Sequence, residues 1–228
     1  MDVTKKTHLQ KMFKFSAAPN IDQKTKKRKT HQPNVGLWVQ QDKVVTMNPY
    51  VVCVFKRTGL SEDHSYVLVP DDVGFKRLEY SDPWKINDEG VTYSFVTGWE
   101  KYVHHTDSIT FSTHLYKVRE YINLASGHLK KEKVKTRVFD FSVDARLDIV
   151  PRDRADMFPV DFSIEASIQQ YPLTSRWSLW DKYLVPFLNL GSESETLTIS
   201  VDRFSSDKRP VHLSLDESGY TLYAMPYR

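Results

Sequence analysis

Hydrophobic and polar residues alternate most regularly between Val138 and Gln169. Phe139, Phe141, Val143, Ala145, Leu147 and Ile149 interleave with Asp140, Ser142, Asp144, Arg146 and Asp148, and Val160, Phe162, Ile164, Ala166 and Ile168 with Asp161, Ser163, Glu165, Ser167 and Gln169. A period of two puts one set in a core and the other in water, so the stretch predicts two long antiparallel strands. Their wet face carries Asp140, Asp144, Asp148, Asp161 and Glu165 against Arg146 and should repel polyanions. It reads as scaffold.

Shorter β-branched runs precede it. Gly36–Val39, Lys43–Thr46, Tyr50–Phe55, Tyr66–Val69 and Val91–Val96 read as strands, separated by turn chemistry at Asn48-Pro49, Thr58-Gly59 and Pro70-Asp71-Asp72. The stretch Lys76–Gly90 reads as turn-rich. Between Asp107 and Lys133 the period changes: Phe111, Leu115, Val118, Ile122, Ala125 and Leu129 fall at helical spacing, with Gly127, Lys130 and Lys131 marking the end. A short helix is expected over Ser175–Leu184, with Trp177, Trp180 and Leu184 on one side and Pro186 ending or kinking it. Thr196–Val201, Val211–Leu215 and Tyr220–Ala224 complete the strands, and Asp216–Gly219 joins the last two as a hairpin loop. The predicted class is α+β, mainly antiparallel β-sheet with one long and one short helix. No internal repeat is visible.

Charge changes this picture at the N-terminus. Residues 1–31 hold nine lysines and arginines against two acids, a net +7, which leaves −4 for the remainder of a chain whose total is +3. Residues 1–34 therefore read as a disordered basic arm and residues 35–228 as a single globular α+β domain. Within the arm, Lys24, Lys26, Lys27, Arg28 and Lys29 form a run that attracts import receptors, RNA phosphates and anionic headgroups alike. Met12, Phe13 and Phe15 lie among lysines and suit a membrane or partner contact. A second basic patch, Lys130, Lys131, Lys133, Lys135 and Arg137, follows the long helix, where cations also complement its dipole.

Enzyme chemistry finds little support. No nucleophile elbow, phosphate-binding loop or dinucleotide glycine pattern occurs. His104, His105, His114 and Asp107 lie close in sequence, but adjacent histidines on a strand point to opposite faces, so no metal is assigned. No cofactor is implied. Cys53 reads as a small buried hydrophobe, and Glu193 and Glu195 as solvated turn charges. With no apolar run long enough to span a bilayer, no signal-peptide segment and no Asn-X-Ser/Thr sequon, the expectation is an intracellular, soluble protein.

The layout resembles the matrix proteins of rhabdoviruses: a lysine-rich N-terminus at Lys24–Lys29, then a domain ending strand, helix, strand, hairpin at Val160–Ile168, Ser175–Leu184, Leu197–Val201 and Val211–Ala224. The proline-rich budding motifs of that family are absent, since Ser16–Pro19 does not match them. The resemblance implies a non-enzymatic virion protein that self-associates as a homo-oligomer. It would bridge nucleocapsid or RNA to an anionic membrane surface, in the virion, host cytoplasm, membrane periphery and nucleus. The competing expectation is a nucleic-acid-binding viral protein, a capsid with a basic arm or a movement protein. Liposome cosedimentation that drops on neutralising Lys24–Lys29 separates the two.

Overall fold

The computed structural model describes residues 6–15, 36–40, 42–48, 50–56, 66–71, 74–79, 85–88, 91–94, 108–143, 146–152, 162–165, 167–168, 175–202 and 209–227. It is α+β with antiparallel strand pairing, and it divides into two compact units, Met1–Trp99 and Glu100–Arg228.

The first unit opens with α1 (Lys6–Phe13), followed by β1 (Leu37–Val39), β2 (Lys43–Asn48), β3 (Val51–Lys56), β4 (Tyr66–Asp71) and β5 (Gly74–Glu79). These strands lie in the spatial order β3-β2-β1-β4-β5, and β6 (Lys85–Asp88) pairs with β7 (Val91–Ser94) as a separate ribbon. Where a disordered arm was expected, Leu9, Met12 and Phe15 recur every third position and are buried. That spacing gives α1 an apolar stripe, and the helix packs on β1. The turn between β2 and β3 is organised by the buried Asn48. Its Oδ1 accepts from the backbone N–H groups of Tyr50 (2.8 Å) and Val51 (3.2 Å), while its Nδ2 donates to the carbonyl of Phe15 (3.0 Å). One side chain thus closes a hairpin and anchors the chain leaving α1. Entry to β1 is as tight: a Cβ at Gly36 would stand 2.6 Å from the Leu68 carbonyl oxygen.

The second unit runs β8 (Ser108–His114), α2 (Leu115–Lys131), β9 (Val138–Val143), β10 (Arg146–Pro151), β11 (Phe162–Glu165), β12 (Ser167–Ile168), β13 (Ser175–Trp180), α3 (Asp181–Leu188), β14 (Thr196–Asp202), β15 (Val211–Leu215) and β16 (Tyr220–Ala224). Its strands form two layers, β12-β8-β14-β15-β16 and β11-β10-β9-β13. Phe111 of β8 and Trp177 of β13 meet with ring centroids 5.7 Å apart, and Trp177 stacks on Phe141 of β9 at 5.5 Å. The loop between β15 and β16 reverses through Gly219 at φ 75°, a conformation glycine adopts without penalty.

Five expectations are corrected here. The stretch Val138–Pro151 is a hairpin, because Leu147 pairs back on Val143 and Pro151 on Phe139. The second alternating stretch splits too, with β11 in one sheet and β12 in the other. The long helix starts at Leu115 rather than near Asp107, since Ile109, Phe111 and Thr113 are buried in alternation with half-buried neighbours and pair along β14. Ser175–Trp180 is a strand as well: Ser175, Trp177 and Leu179 are buried in alternation, all six residues pair with β9, and the helix begins only at Asp181. Pro186 lies inside that helix, which ends within a turn of it at Leu188. The polar segment expected to be turns also contains β5 and β6.

The two units repeat one topology. In each, a helix leads into a three-strand meander, and a later strand returns to pair antiparallel with the first: α1, then β3-β2-β1-β4, and α2, then β11-β10-β9-β13. The repeat that the sequence hides is present in the fold.

Candidate nucleic-acid interface

Helix α2 buries Leu115, Val118, Ile122, Ala125 and Leu129 and leaves the opposite face to water. That face presents Tyr116, Lys117, Glu120, Asn123, Leu124, His128, Lys130 and Lys131. The shorter α3 lies alongside, joined through Asn123 and Asn189, whose amides exchange hydrogen bonds at 3.4 and 3.5 Å. It adds the exposed Lys182, whose ammonium sits 5.0 Å from the Trp180 ring centroid. Arg119 is less available, since it donates to the Gly191 carbonyl at 3.1 Å and approaches Glu193 at 3.7 Å.

The expected basic patch divides in two. Lys130, Lys131, Lys133 and Lys135 are exposed. Arg137 instead donates through Nε to the buried Asp181 at 2.5 Å, and its backbone carbonyl accepts the Asp181 N–H at 2.9 Å. Ser126 of α2 donates to the same Asp181 oxygen at 2.5 Å. Arg137 therefore holds α2, α3 and the entry to β9 together and is not a contact cation. Glu195 shows the same divergence from expectation. At 1% exposure, its carboxylate accepts from the Ser192 N–H (3.1 Å), the Ser218 N–H (2.7 Å) and the Ser218 hydroxyl (2.6 Å), fixing the loop after α3 to the β15–β16 hairpin. Glu193, by contrast, is exposed.

On the outer face of the β11-β10-β9-β13 sheet lies an open cleft of about 520 Å³, lined by Asp140, Val150, Arg152, Arg176, Ser178 and Tyr227 among others. Arg152 Nη2 and Ser178 Oγ both donate to Asp140 Oδ1, at 2.9 and 2.6 Å. The C-terminal tail forms one wall, because the Tyr227 N–H donates to the Ser178 carbonyl at 2.8 Å.

Other predicted residues lie elsewhere. Met12 and Phe15 are fully buried and Phe13 half-buried, so the first two pack inside the protein and offer no surface to a membrane. Lys24, Lys26, Lys27, Arg28 and Lys29, like His104, His105 and Asp107, fall outside the described residues. His114 is exposed at the end of β8, its ring 6.0 Å from that of Tyr116. Among the described residues no group of three or more His, Cys, Asp and Glu side chains is placed to hold a metal ion, and no helix is long and apolar enough to cross a membrane.

No protein-family model matches the sequence, and no curated protein does. Solved structures do. The DNA polymerase sliding clamp of Caulobacter crescentus superposes on 98% of this chain and 64% of its own, with a TM-score of 0.63 at 12% identity. The β chain of DNA polymerase III from Streptococcus pneumoniae gives 0.60 at 15% identity over 98% and 63%. The β subunit from Pseudomonas aeruginosa gives 0.60 at 11% over 98% and 65%. The chain thus spans slightly under two thirds of these neighbours' length. The likeness of fold runs through nearly all of this chain and overturns the matrix-protein expectation, which rested on the outline of strand, helix, strand and hairpin at the C-terminal end.

Proposed function

We propose that this chain is the subunit of a DNA sliding clamp, a non-catalytic homo-oligomer that encloses duplex DNA and tethers a replication enzyme to it. The observation that carries the reading is the superposition on a DNA polymerase sliding clamp over 98% of the chain at a TM-score of 0.63. Charge placement supports it. Lys117, Lys130, Lys131 and Lys182 lie on the exposed face of α2 and α3, where they suit a phosphate backbone without reading bases. Such contacts let a protein move along DNA, so retention has to come from enclosure rather than from tight binding. One sheet edge supports association of copies: among the described residues β11 has no neighbour beyond β10 on its outer side, whereas the tail already occupies part of the β13 edge. The cleft beside Arg152 and Tyr227 is the surface this reading gives to the tethered partner.

The test is retention on blocked DNA. Protein incubated at high concentration with linear duplex blocked at both ends should remain bound through a high-salt wash, and should leave once one end is freed. Equal retention on blocked and unblocked DNA, or none on either, would sink the proposal.

A further inference from the structure

The turn after α2 contains a feature that helix stability does not explain. Lys133 has φ 59°, the one positive value among the described non-glycine residues. It occupies the position after the C-cap Glu132, and the bonding there is a full Schellman closure. The Lys133 N–H donates to the Lys130 carbonyl (3.1 Å), and the Val134 N–H reaches back to Leu129 (3.0 Å). Glycine is the residue this position favours, because a Cβ is penalised in left-handed backbone. The chain places a lysine there instead, and leaves it exposed.

Helix electrostatics account for part of the neighbourhood only. Lys130 and Lys131 lie in the last turn, where cations complement the negative end of the dipole. Lys133 and Lys135 lie beyond it, and both are exposed beside Glu132, the one acid of the run. Backbone strain kept at a position where a neutral, unstrained residue is available points to a role for the side chain.

We propose that Lys130, Lys131, Lys133 and Lys135 form a phosphodiester-binding knuckle, with Lys133 held in left-handed backbone so that its ammonium meets the nucleic-acid backbone. The inference rests on the DNA-enclosing reading above and adds a specific point of grip. Stability and binding then oppose each other at this residue.

The experiment compares the full-length protein with Lys133→Gly, Lys133→Asn and Lys133→Arg. It records thermal unfolding and the salt dependence of binding to a fluorescent duplex. Lys133→Gly should melt about 2–4 °C higher, as relief of one left-handed side chain would give. It should also bind several-fold more weakly at low salt, with the log–log salt slope reduced by about 1. Lys133→Asn, which tolerates the backbone but lacks the charge, should match it in binding, and Lys133→Arg should keep the wild-type slope. A stabilised Lys133→Gly with unchanged slope overturns the knuckle while wild-type retention on blocked DNA keeps the clamp reading. Loss confined to phosphatidylserine vesicles, with DNA binding intact, overturns it as well. A wild type that binds no duplex overturns both.

Discussion

Single residues carry more of this structure than their sequence neighbourhoods suggest. Glu195 sits in Gly191-Ser-Glu-Ser-Glu195, a segment whose composition announces a solvated turn, yet its carboxylate is buried and accepts three hydrogen bonds. Nothing local distinguishes it from Glu193, because its donors at Ser218 lie a whole hairpin away. Removing a buried charged acceptor leaves its donors unsatisfied, at a cost of about 1–3 kcal/mol. Glu195→Ala should lower stability by roughly that amount in urea titrations, and Glu195→Gln by less, since one amide oxygen still accepts. A wild-type midpoint for Glu195→Ala would show the staple to be inert. Cys53 is the opposite case, read correctly from the apolar run around it. Burial pushes its thiol well above the ordinary 9.0. The unfolded chain ionises there first, so above about pH 9.0 this residue withdraws stability, by up to about 1.4 kcal/mol per pH unit. Cys53→Ala should flatten the alkaline limb of the stability–pH curve, and the native thiol should resist disulfide reagents until the protein unfolds.

At the scale of elements, what was legible is what periodicity alone determines. The buried stripe of α2 and the strands β14, β15 and β16 follow from the spacing of Leu115, Val118, Ile122, Ala125 and Leu129 and from the alternation around Leu197, Leu213 and Leu222. Boundaries were not legible where two periods agree. Trp177, Trp180 and Leu184 suit a helix, but Trp177 and Leu179 also alternate as a strand, and pairing with β9 decides the matter. Residues whose partners lie on other elements escaped as well. Arg137 looked like one more cation in a basic run, whereas its guanidinium meets a carboxylate only 3% exposed. Deleting one partner of such a pair strands the other, which typically costs about 3–5 kcal/mol. Because Arg137 is itself a quarter exposed, Arg137→Ala should fall at the low end of that range in chemical denaturation. Asp181→Asn should recover part of the loss in the double variant. Full additivity of the two substitutions would show that the pair is not coupled.

At the scale of the whole molecule, the sequence hid a repeat because the two units share strand order and connection, not residues. The meander β1-β2-β3 matches β9-β10-β11, but one is led by a short helix rich in lysine and the other by a 17-residue amphipathic one. A fold can be conserved by hydrogen-bond topology while every side-chain pattern drifts. Association between copies through backbone edges has the same independence from sequence, and β11, an edge left open among the described residues, is a place to test it. Residues alternate along a strand between those whose backbone bonds face the sheet and those that face outward. Proline placed singly along Phe162–Glu165 should therefore sort into two classes. Where the lost N–H bonded β10, the unit is destabilised; where it faced outward, the fold survives and the native mass should fall to the 26.6 kDa of one chain. Sedimentation alongside thermal melting separates these outcomes. An outward proline that leaves a larger assembly intact would move the contact between copies away from β11, and a wild type that sediments as a single chain would leave no ring to enclose DNA.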